Sequence, residues 1–257
     1  YFNSDNLLIP QLSLYELGEG DGNEFIIFAV ISGGESDHGK FIGTDNGGYD
    51  RGYGRDQRAD GYFSAFNGIT TPTEMGDANN VLNYLYVIEE SDHETSSIYQ
   101  RINAWLNGEK VIDNELTAYD ESRDYISIGD VNGMGSEDWQ GYIYELMIFN
   151  QALSDEDRIM TSYYLSTKWG LESQVDSDGD GFNDSIENSL ATDPVDVLSI
   201  PTLPDFSDTV DAQISDTSNL DSMEDSLALW LDASNIDLVN NLSLIDGDNI
   251  TLWMDLS

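Results

Sequence analysis

Short apolar or alternating segments, separated by turns rich in Gly, Asn and Asp, run from residue 1 to about residue 150. Residues 25–31 (FIIFAVI) are apolar at every position, which is typical of a β-strand covered on both faces. Further strands are predicted at 84–88, 102–106, 111–112, 126–128 and 142–149. Many short strands with no helix between them predict an all-β fold, an antiparallel two-sheet sandwich or jelly roll.

One turn in this region has a specific signature. The dipeptide Asn107-Gly108 favours a two-residue type I′ hairpin, because both central residues of that turn need a positive φ. The return strand then contains Val111 and Ile112.

A single short helix is predicted to close the domain. Ser154 can cap it, and the three acidic residues that follow favour the positive end of the helix dipole. Ile159, Tyr163 and Trp169 lie near helical spacing, and Gly170 ends the helix.

The charge of the chain is strongly negative and unevenly spread. The 257 residues include 50 acidic and 9 basic side chains, for a formal net charge of -41. Phosphate binding relies on clustered Lys and Arg, so this balance excludes nucleic acid and disfavours an anionic membrane surface. All basic residues lie between Lys40 and Lys168, and residues 169–257 hold 20 acidic side chains and none that is basic. The expected partners are cations.

The chain has no cysteine and only two histidines. Disulfides, a thiolate nucleophile and a Cys-based metal site are therefore excluded, and neither zinc catalysis nor a Ser-His-Asp triad has support. No stretch approaches the ~18 apolar residues of a membrane span, so we expect no membrane insertion. The N-terminus has no leader-like segment, and we expect the sequence to be a piece of a larger protein.

Several segments together resemble a known family. These are INAWLNGEKV, ISIGD, and WQGYIYELMIFNQALSDEDR followed by a helix that ends in STKWGL. In this order they resemble the C-terminal part of a laminin G-like, concanavalin A-type jelly roll of bacterial surface proteins. The resemblance covers roughly residues 1–171. It implies a two-sheet sandwich that often binds glycans or proteins through loops at one rim.

The start of the chain departs from this pattern. Such a domain normally opens with strands that resemble LALWLDAS and ITLWMDLS, and these segments lie instead at residues 227–234 and 250–257. A two-stranded unit alone is only marginally stable, so its apolar face must pack on another sheet. That sheet either belongs to this chain, giving a split or permuted domain, or to a neighbouring copy in a tandem array; we expect the first.

The expected organisation therefore has four parts. Residues 1–171 form the sandwich without its first strands, and residues 172–194 a calcium-binding linker. Residues 195–226, rich in Asp, Ser, Thr and Pro, form a flexible acidic linker. Residues 227–257 supply strands that complete the sandwich.

The segment DSDGDGFNDSIE at residues 176–187 matches the calcium-loop template D-x-D-x-D-G-x5-E in full. Calcium takes six to eight oxygen ligands, and the template supplies carboxylates, one backbone carbonyl and a bidentate Glu. Gly181 permits the sharp turn that the template requires. The predicted Ca²⁺ ligands are Asp176, Asp178, Asp180, Phe182 (by its carbonyl), Asp184 and Glu187.

The surroundings of this loop indicate which kind of calcium module it is. A true EF-hand needs an incoming helix, whereas Gly170 ends the preceding helix and only about two helical turns follow the loop. The run DSDGDGFNDSIENSLATDP resembles a thrombospondin type 3-like repeat of bacterial extracellular proteins. That resemblance implies a linker stiffened by calcium, to which Asp193 can add a ligand.

A second candidate site lies in the Gly-rich segment that precedes residue 60. Tyr49 and Tyr53 alternate there with Arg51 and Arg55, and aromatic faces beside Arg side chains suit a glycan-binding rim. The alternative is that the tyrosines pack at the sandwich edge and the arginines pair with nearby Asp residues.

The sequence thus favours a non-enzymatic, calcium-binding extracellular module of a large bacterial adhesin, at a cell surface in a marine or otherwise salty medium. Its expected partners are calcium, glycans or surface proteins, and further copies of itself or tandem neighbours. One alternative is a structural spacer or oligomerisation unit without a ligand. The other is a piece of a secreted glycoside hydrolase, for which Glu145 in the strand 142–149 is the nearest candidate carboxylate.

Overall fold

The computed structural model describes residues 7–10, 24–33, 39–44, 51–56, 62–65, 69–74, 83–92, 99–118, 125–130, 138–201 and 227–232. The described residues form twelve strands and two helices. In chain order these are β1 (Leu7–Pro10), β2 (Phe25–Gly33), β3 (Lys40–Thr44), β4 (Arg51–Asp56), β5 (Tyr62–Ala65), β6 (Ile69–Glu74), β7 (Asn83–Asp92), β8 (Tyr99–Leu106), β9 (Glu109–Ala118), β10 (Tyr125–Ile128), β11 (Gly141–Phe149), α1 (Asp155–Trp169), α2 (Asp184–Leu190) and β12 (Leu227–Asp232).

The strands form two antiparallel sheets, as the sequence predicts. One sheet has the order β1-β10-β3-β4-β5-β6, and the other has the order β12-β11-β2-β7-β8-β9. The predicted strands at 25–31, 84–88, 102–106, 126–128 and 142–149 all lie within strands of these sheets. The turn at Asn107-Gly108 has φ of 51° and 89°, so it has the two positive φ values of the predicted hairpin.

The main core lies between the two sheets. On β2, Phe25, Ile27, Ala29 and Ile31 face it and are completely buried. The first sheet contributes Phe41, Ile42, Tyr53, Ile126 and Ile128 to the same cluster. Because side chains alternate along a strand, the remaining residues of β2 point to the opposite face of their sheet.

That opposite face is covered by α1 and the segment after it. Ile26, Phe28 and Val30 of β2 pack there with Leu165 and with residues C-terminal to the helix. The strand is therefore buried on both faces, which confirms the interpretation of its uninterrupted apolar run.

The helix begins and ends where the sequence predicts, although it buries a different face. Ser154 caps it by accepting a hydrogen bond from the Asp157 backbone N–H, and Gly170 ends it in the left-handed conformation. The buried residues are Arg158, Thr161, Ser162, Leu165 and Ser166. The predicted apolar residues Ile159, Tyr163 and Trp169 are only partly buried.

Strand β12 lies at the edge of the second sheet, where it pairs antiparallel with β11 of the same chain. Leu231 is opposite Leu146 and Leu229 is opposite Ile148. In the structure, residues 227–232, which resemble the first strand of such a domain, therefore pair with β11, the last strand of residues 1–171. Residues 250–257 lie outside the described residues, and the four-part division of the chain stays a prediction.

Candidate metal centre

The acidic loop at residues 176–187 is connected to α1 by a short, well-anchored segment. Gly170 adopts φ of 66°, and the Leu171 N–H then donates to the Ser166 carbonyl at 2.8 Å. Leu171 and Val175 are buried in the cluster that covers the outer face of β2. The connection is therefore part of the folded body, and it holds the start of the loop against the sheet.

The loop also contacts the hairpin between β8 and β9. The Asp176 N–H donates to the Asn107 carbonyl at 3.0 Å, and the Asn107 side chain accepts from the Leu85 N–H at 2.9 Å. A Cβ atom added to Gly108 would lie 1.6 Å from the Asp176 carbonyl oxygen. Only glycine fits at position 108, because the backbones of the turn and the loop are in contact there. The turn that ends β8 is therefore also the surface on which the loop packs.

Within the loop, carboxylates organise the backbone. Asp176 accepts hydrogen bonds from the N–H groups of Gly179 and Gly181, both at 2.8 Å. Asp178 accepts from the Asp180 N–H at 3.1 Å, and Asp180 accepts from the Phe182 N–H at 2.8 Å. These turns direct successive carboxylates toward the inside of the loop. Gly181 has φ of 102°, in agreement with its predicted role at the sharp turn.

Three of the predicted ligands form a compact group. Asp176, Asp178 and Asp180 each offer a carboxylate oxygen, and these oxygens lie within 4.8 Å of one another. Oxygens that bind one calcium ion at 2.3–2.6 Å are at most about 5 Å apart, so this spread fits a shared calcium.

Buried oxygens without partners point to the same conclusion. Asp178 Oδ2, Asp180 Oδ2 and both carboxylate oxygens of Glu187 are buried and accept no hydrogen bond from the described residues. Glu187 is completely buried and Asp178 is 9% exposed. A buried carboxylate without a partner is strongly unfavourable, and a cation is the partner that such oxygens need, although Glu187 lies outside the compact group of three aspartates.

The pKa values of the loop carboxyl groups are also raised, as expected for buried carboxylates that lack a cation. Burial, and then the charges of Asp178 and Asp180, raise the pKa of Glu187 to about 8. Burial likewise raises the pKa of Asp178 to about 7, with further contributions from the charges of Asp180 and Asp176. Protons are therefore retained on these carboxyl groups near neutral pH unless a cation replaces them.

Asp184, predicted as the ligand at the ninth position, has a different environment. Its Oδ1 accepts from the Ser177 N–H at 2.9 Å, and its Oδ2 accepts from the hydroxyls of Ser177 at 3.0 Å and Ser166 at 2.5 Å. Burial raises the pKa of Asp184 to about 6, although these hydrogen bonds act in the opposite direction. The structure thus places Asp184 between the loop and α1, outside the group of three aspartates. Its predicted contact with calcium, direct or through water, stays a prediction.

Phe182 and Asp193, the other two predicted ligands, lie in the loop and beyond α2, respectively. Phe182 lies in the loop between Gly181 and Asn183, the N-cap of α2, and its N–H is bonded to Asp180. The role of its carbonyl stays a prediction. Asp193 lies beyond α2, where its side chain accepts from the Val195 N–H at 3.2 Å, so in the structure it organises the turn that follows the helix.

Of the four residues predicted as a glycan rim, the structure describes the side chain of Tyr53 alone. Tyr53 is a completely buried core residue of β4, and its hydroxyl donates to Glu90. It therefore cannot stack on a ligand at the surface, because the alternation of β4 directs it between the sheets. Arg51 and Arg55 lie on the same strand, and Tyr49 lies outside the described residues.

Glu145, considered as a hydrolase carboxylate, anchors α1 to the sheet. It is completely buried, its Oε1 lies 3.0 Å from Lys168 Nζ, and its Oε2 accepts from Trp169 Nε1. An irregular register between Ile143 and Glu145 directs it toward the helix. In the structure this carboxylate joins β11 to the end of α1.

The residues that hold the loop in place could not be identified from the sequence. Ser166, Asn107 and Gly108 are 10 or more residues from residue 176 in the chain, and no local spacing connects them with the loop. Only the Asn-Gly signature marked the hairpin, and it indicated a turn rather than a docking surface.

No known protein-family profile matches this chain, and no curated protein is detectably similar to it. Within the described ranges, neither helix has the length and apolar character needed to cross a membrane.

Proposed function

We propose that the chain is a non-enzymatic, calcium-binding extracellular module that works in adhesion at a bacterial cell surface. In this proposal the two sheets are a laminin G-like jelly roll, and residues 176–187 are a thrombospondin type 3-like calcium loop. The ligand bound by the module would be a glycan or a surface protein.

The observation that carries the proposal is the set of buried carboxylate oxygens without partners in the loop. They belong to Asp178, Asp180 and Glu187, which are template positions 3, 5 and 12. A loop whose acids were spaced for solubility alone would direct them to water. Calcium is favoured over magnesium because a flexible set of many carboxylate oxygens suits its larger shell.

Docking of the loop supports a calcium-dependent structural role. The segment that leads into the loop buries Leu171 and Val175 against the outer face of β2, and the loop itself makes a backbone contact with the β8–β9 turn. Extracellular modules bind calcium at about 10⁻⁴ to 10⁻³ M, so ~10 mM calcium adds roughly 1.4 to 2.7 kcal/mol by mass action. That gain would stabilise the whole second sheet rather than a separate linker.

Isothermal titration of calcium into protein freed of metal by EDTA tests the proposal. We expect one strong binding event at or below about 1 mM, and its loss in Glu187→Gln. Glu115→Gln removes an equal charge from an exposed position on β9 and should bind calcium normally. Absence of binding by the unmodified chain at millimolar calcium would refute the metal site.

A structural spacer is the second candidate, and the edge position of β12 favours it. The late segment 227–232 pairs in this chain with β11, and an equivalent segment of another copy could pair in the same way. A spacer should bind no glycan above background on an array at millimolar calcium, whereas an adhesive module should bind a defined set.

A further inference from the structure

A cleft of about 640 Å³ lies where the β8–β9 hairpin, α1 and the acidic loop meet. Trp105 and Lys110 of the hairpin, Arg158 of α1, and Asp176 and Gly179 of the loop are among its walls. The volume falls in the usual range for sites that bind small molecules. None of the residues predicted as the glycan rim lines it.

Arg158, in the wall of this cleft, has guanidinium nitrogens that lack hydrogen-bond acceptors. It is 7% exposed, and its Nε and Nη1 atoms are buried without a hydrogen-bond partner among the described residues. Its remaining nitrogen, Nη2, lies 3.5 Å from Asp155, whose side chain is 90% exposed. Buried guanidinium nitrogens normally donate to acceptors, so the cleft lacks an acceptor at this wall.

The position of Arg158 is fixed by packing. Its Cζ atom lies 4.3 Å from the centre of the Trp105 ring, which is itself almost fully buried. On the same ring, Lys110 Nζ lies 5.4 Å from the centre. Two of the nine basic residues of a chain with net charge -41 are thus held together at this cleft. Lys110 Nζ also lies 2.5 Å from Asp113 Oδ1, so Arg158, with two nitrogens that lack partners, is the group that favours an anionic acceptor here.

The remaining walls show what else the occupant should carry. Glu109, Asp176 and Asp178 bring carboxylates to the cleft, and these groups accept hydrogen bonds without donating any. An occupant therefore needs one anionic acceptor for Arg158 and Lys110, and several hydroxyl donors for the acidic side. The Nε and Nη1 atoms also lie on opposite sides of the guanidinium group, so a carboxylate can satisfy one of them and a separate hydroxyl or ring oxygen of the occupant would satisfy the other. A sugar that bears a carboxylate combines these features.

We infer that this cleft binds a uronic acid residue of an acidic glycan, with its carboxylate at Arg158 and its hydroxyls toward the loop. The inference rests on the proposed function, because calcium in the loop would neutralise the wall formed by Asp176 and Asp178. Binding of the sugar is therefore expected to strengthen when calcium is present.

Calorimetric titration of glucuronate into the whole chain tests the inference, once in 5 mM calcium and once in EDTA. We expect a dissociation constant of about 1 mM with calcium and at least about tenfold weaker binding without it. Glucose, the neutral analogue, and acetate, the bare carboxylate, should each bind at least about tenfold more weakly than glucuronate. Binding of glucose or acetate as tight as that of glucuronate would overturn the inference.

Variants separate the cleft from general charge effects. Arg158→Gln should weaken glucuronate binding at least about tenfold, and Lys110→Gln, at a partly exposed position, about threefold. Arg101→Gln removes the same charge from β8, where Arg101 bonds the Asn114 side chain, and should bind normally. If Arg158→Gln fails to fold, Lys110→Gln decides: unchanged affinity in that variant contradicts the inference.

The two proposals fail in different ways in this experiment. If calcium binding is detected but glucuronate binding is not, the inference about the cleft is wrong and the proposed metal site is unaffected. If the chain binds no calcium, and glucuronate binds equally well in calcium and in EDTA, the proposed metal site is wrong and the inference about the cleft is supported.

Discussion

Strand β2 and the acidic loop both contain buried side chains, but the two sets of side chains need different partners. Along β2 the buried side chains are almost all apolar, and the strand is paired on both edges, with β11 and β7. In the loop the buried groups include carboxylate oxygens without hydrogen-bond partners, although Val175, the residue before the loop, belongs to the apolar cluster on the outer face of β2. Burial of β2 is complete with protein atoms alone, whereas burial of the loop needs a cation. Stability contributed by the strand should therefore be independent of calcium, and stability contributed by the loop should depend on it.

The largest effect should come from the strand. Phe28→Ala removes a completely buried ring that packs edge to face on Phe149, and should lower the free energy of unfolding by about 3–5 kcal/mol. Chemical denaturation in calcium and in EDTA should give the same loss within about 0.5 kcal/mol. A loss that differs strongly between the two media would mean that the strand and the loop are not separable in this way.

The next effect should come from the contact between the hairpin and the loop. Gly108→Ala forces a Cβ atom onto the Asp176 backbone at φ of 89°, and should cost about 3 kcal/mol and weaken calcium binding. Gly170→Ala is the matched control, because its φ is 66° and nothing lies within 4 Å of the added atom. That control should cost only about 1 kcal/mol and leave calcium affinity unchanged. Equal costs for the two variants would show that the loop does not dock on the hairpin.

A smaller effect should appear when the buried loop carboxylate is neutralised. In EDTA near neutral pH, Glu187→Gln should leave stability unchanged or slightly raised, because the neutral amide resembles the protonated carboxyl that the raised pKa maintains there. In 10 mM calcium the variant should lose the roughly 1.4 to 2.7 kcal/mol gained by the unmodified chain. Thermal unfolding in the two media measures both quantities. A full calcium-dependent gain in the variant would place the ion elsewhere.

Without calcium, stability should also depend on pH. The pKa of Glu187 is raised to about 8 and that of Asp178 to about 7, so the folded state holds more protons than the unfolded state between about pH 4 and pH 8. Their contribution to stability is therefore present below the unfolded pKa values and is lost as pH rises through the folded ones. In EDTA, stability should fall from pH 5.5 to pH 8, and this fall should be shallower in Glu187→Gln. An identical slope in the variant would exclude Glu187 as a source.

The parts that the sequence predicted are those determined by neighbours in the chain. The Asn107-Gly108 turn, the Ser154 cap and the Gly170 end depend on groups a few residues apart, and each was located correctly. The acidic loop was found for the same reason, since its template spans twelve residues.

The parts that failed depend on contacts between distant segments. Tyr53 lies in a Gly- and Arg-rich segment that reads as a surface loop, but its strand directs it into the core. The contact between Ser166 of the preceding helix and the Asp184 carboxylate was likewise not visible in the sequence, while the predicted role of Asp184 as a calcium ligand stays a prediction. The helix buries Arg158 and three small polar residues, because the face that packs on the sheet is determined by contacts with distant segments. No local periodicity encodes these choices.

The protonation of Glu187 tests the central claim most directly. Carbon-detected NMR of its side-chain carboxyl should show a pKa of about 8 in EDTA, because the group is buried beside other carboxylates with no partner. Saturating calcium should keep the same carboxyl ionised to below its ordinary pKa of about 4.3, since the ion replaces the proton. An ordinary pKa in both media would contradict the account, because the carboxylate would then be neither deprived of a partner nor bound to calcium.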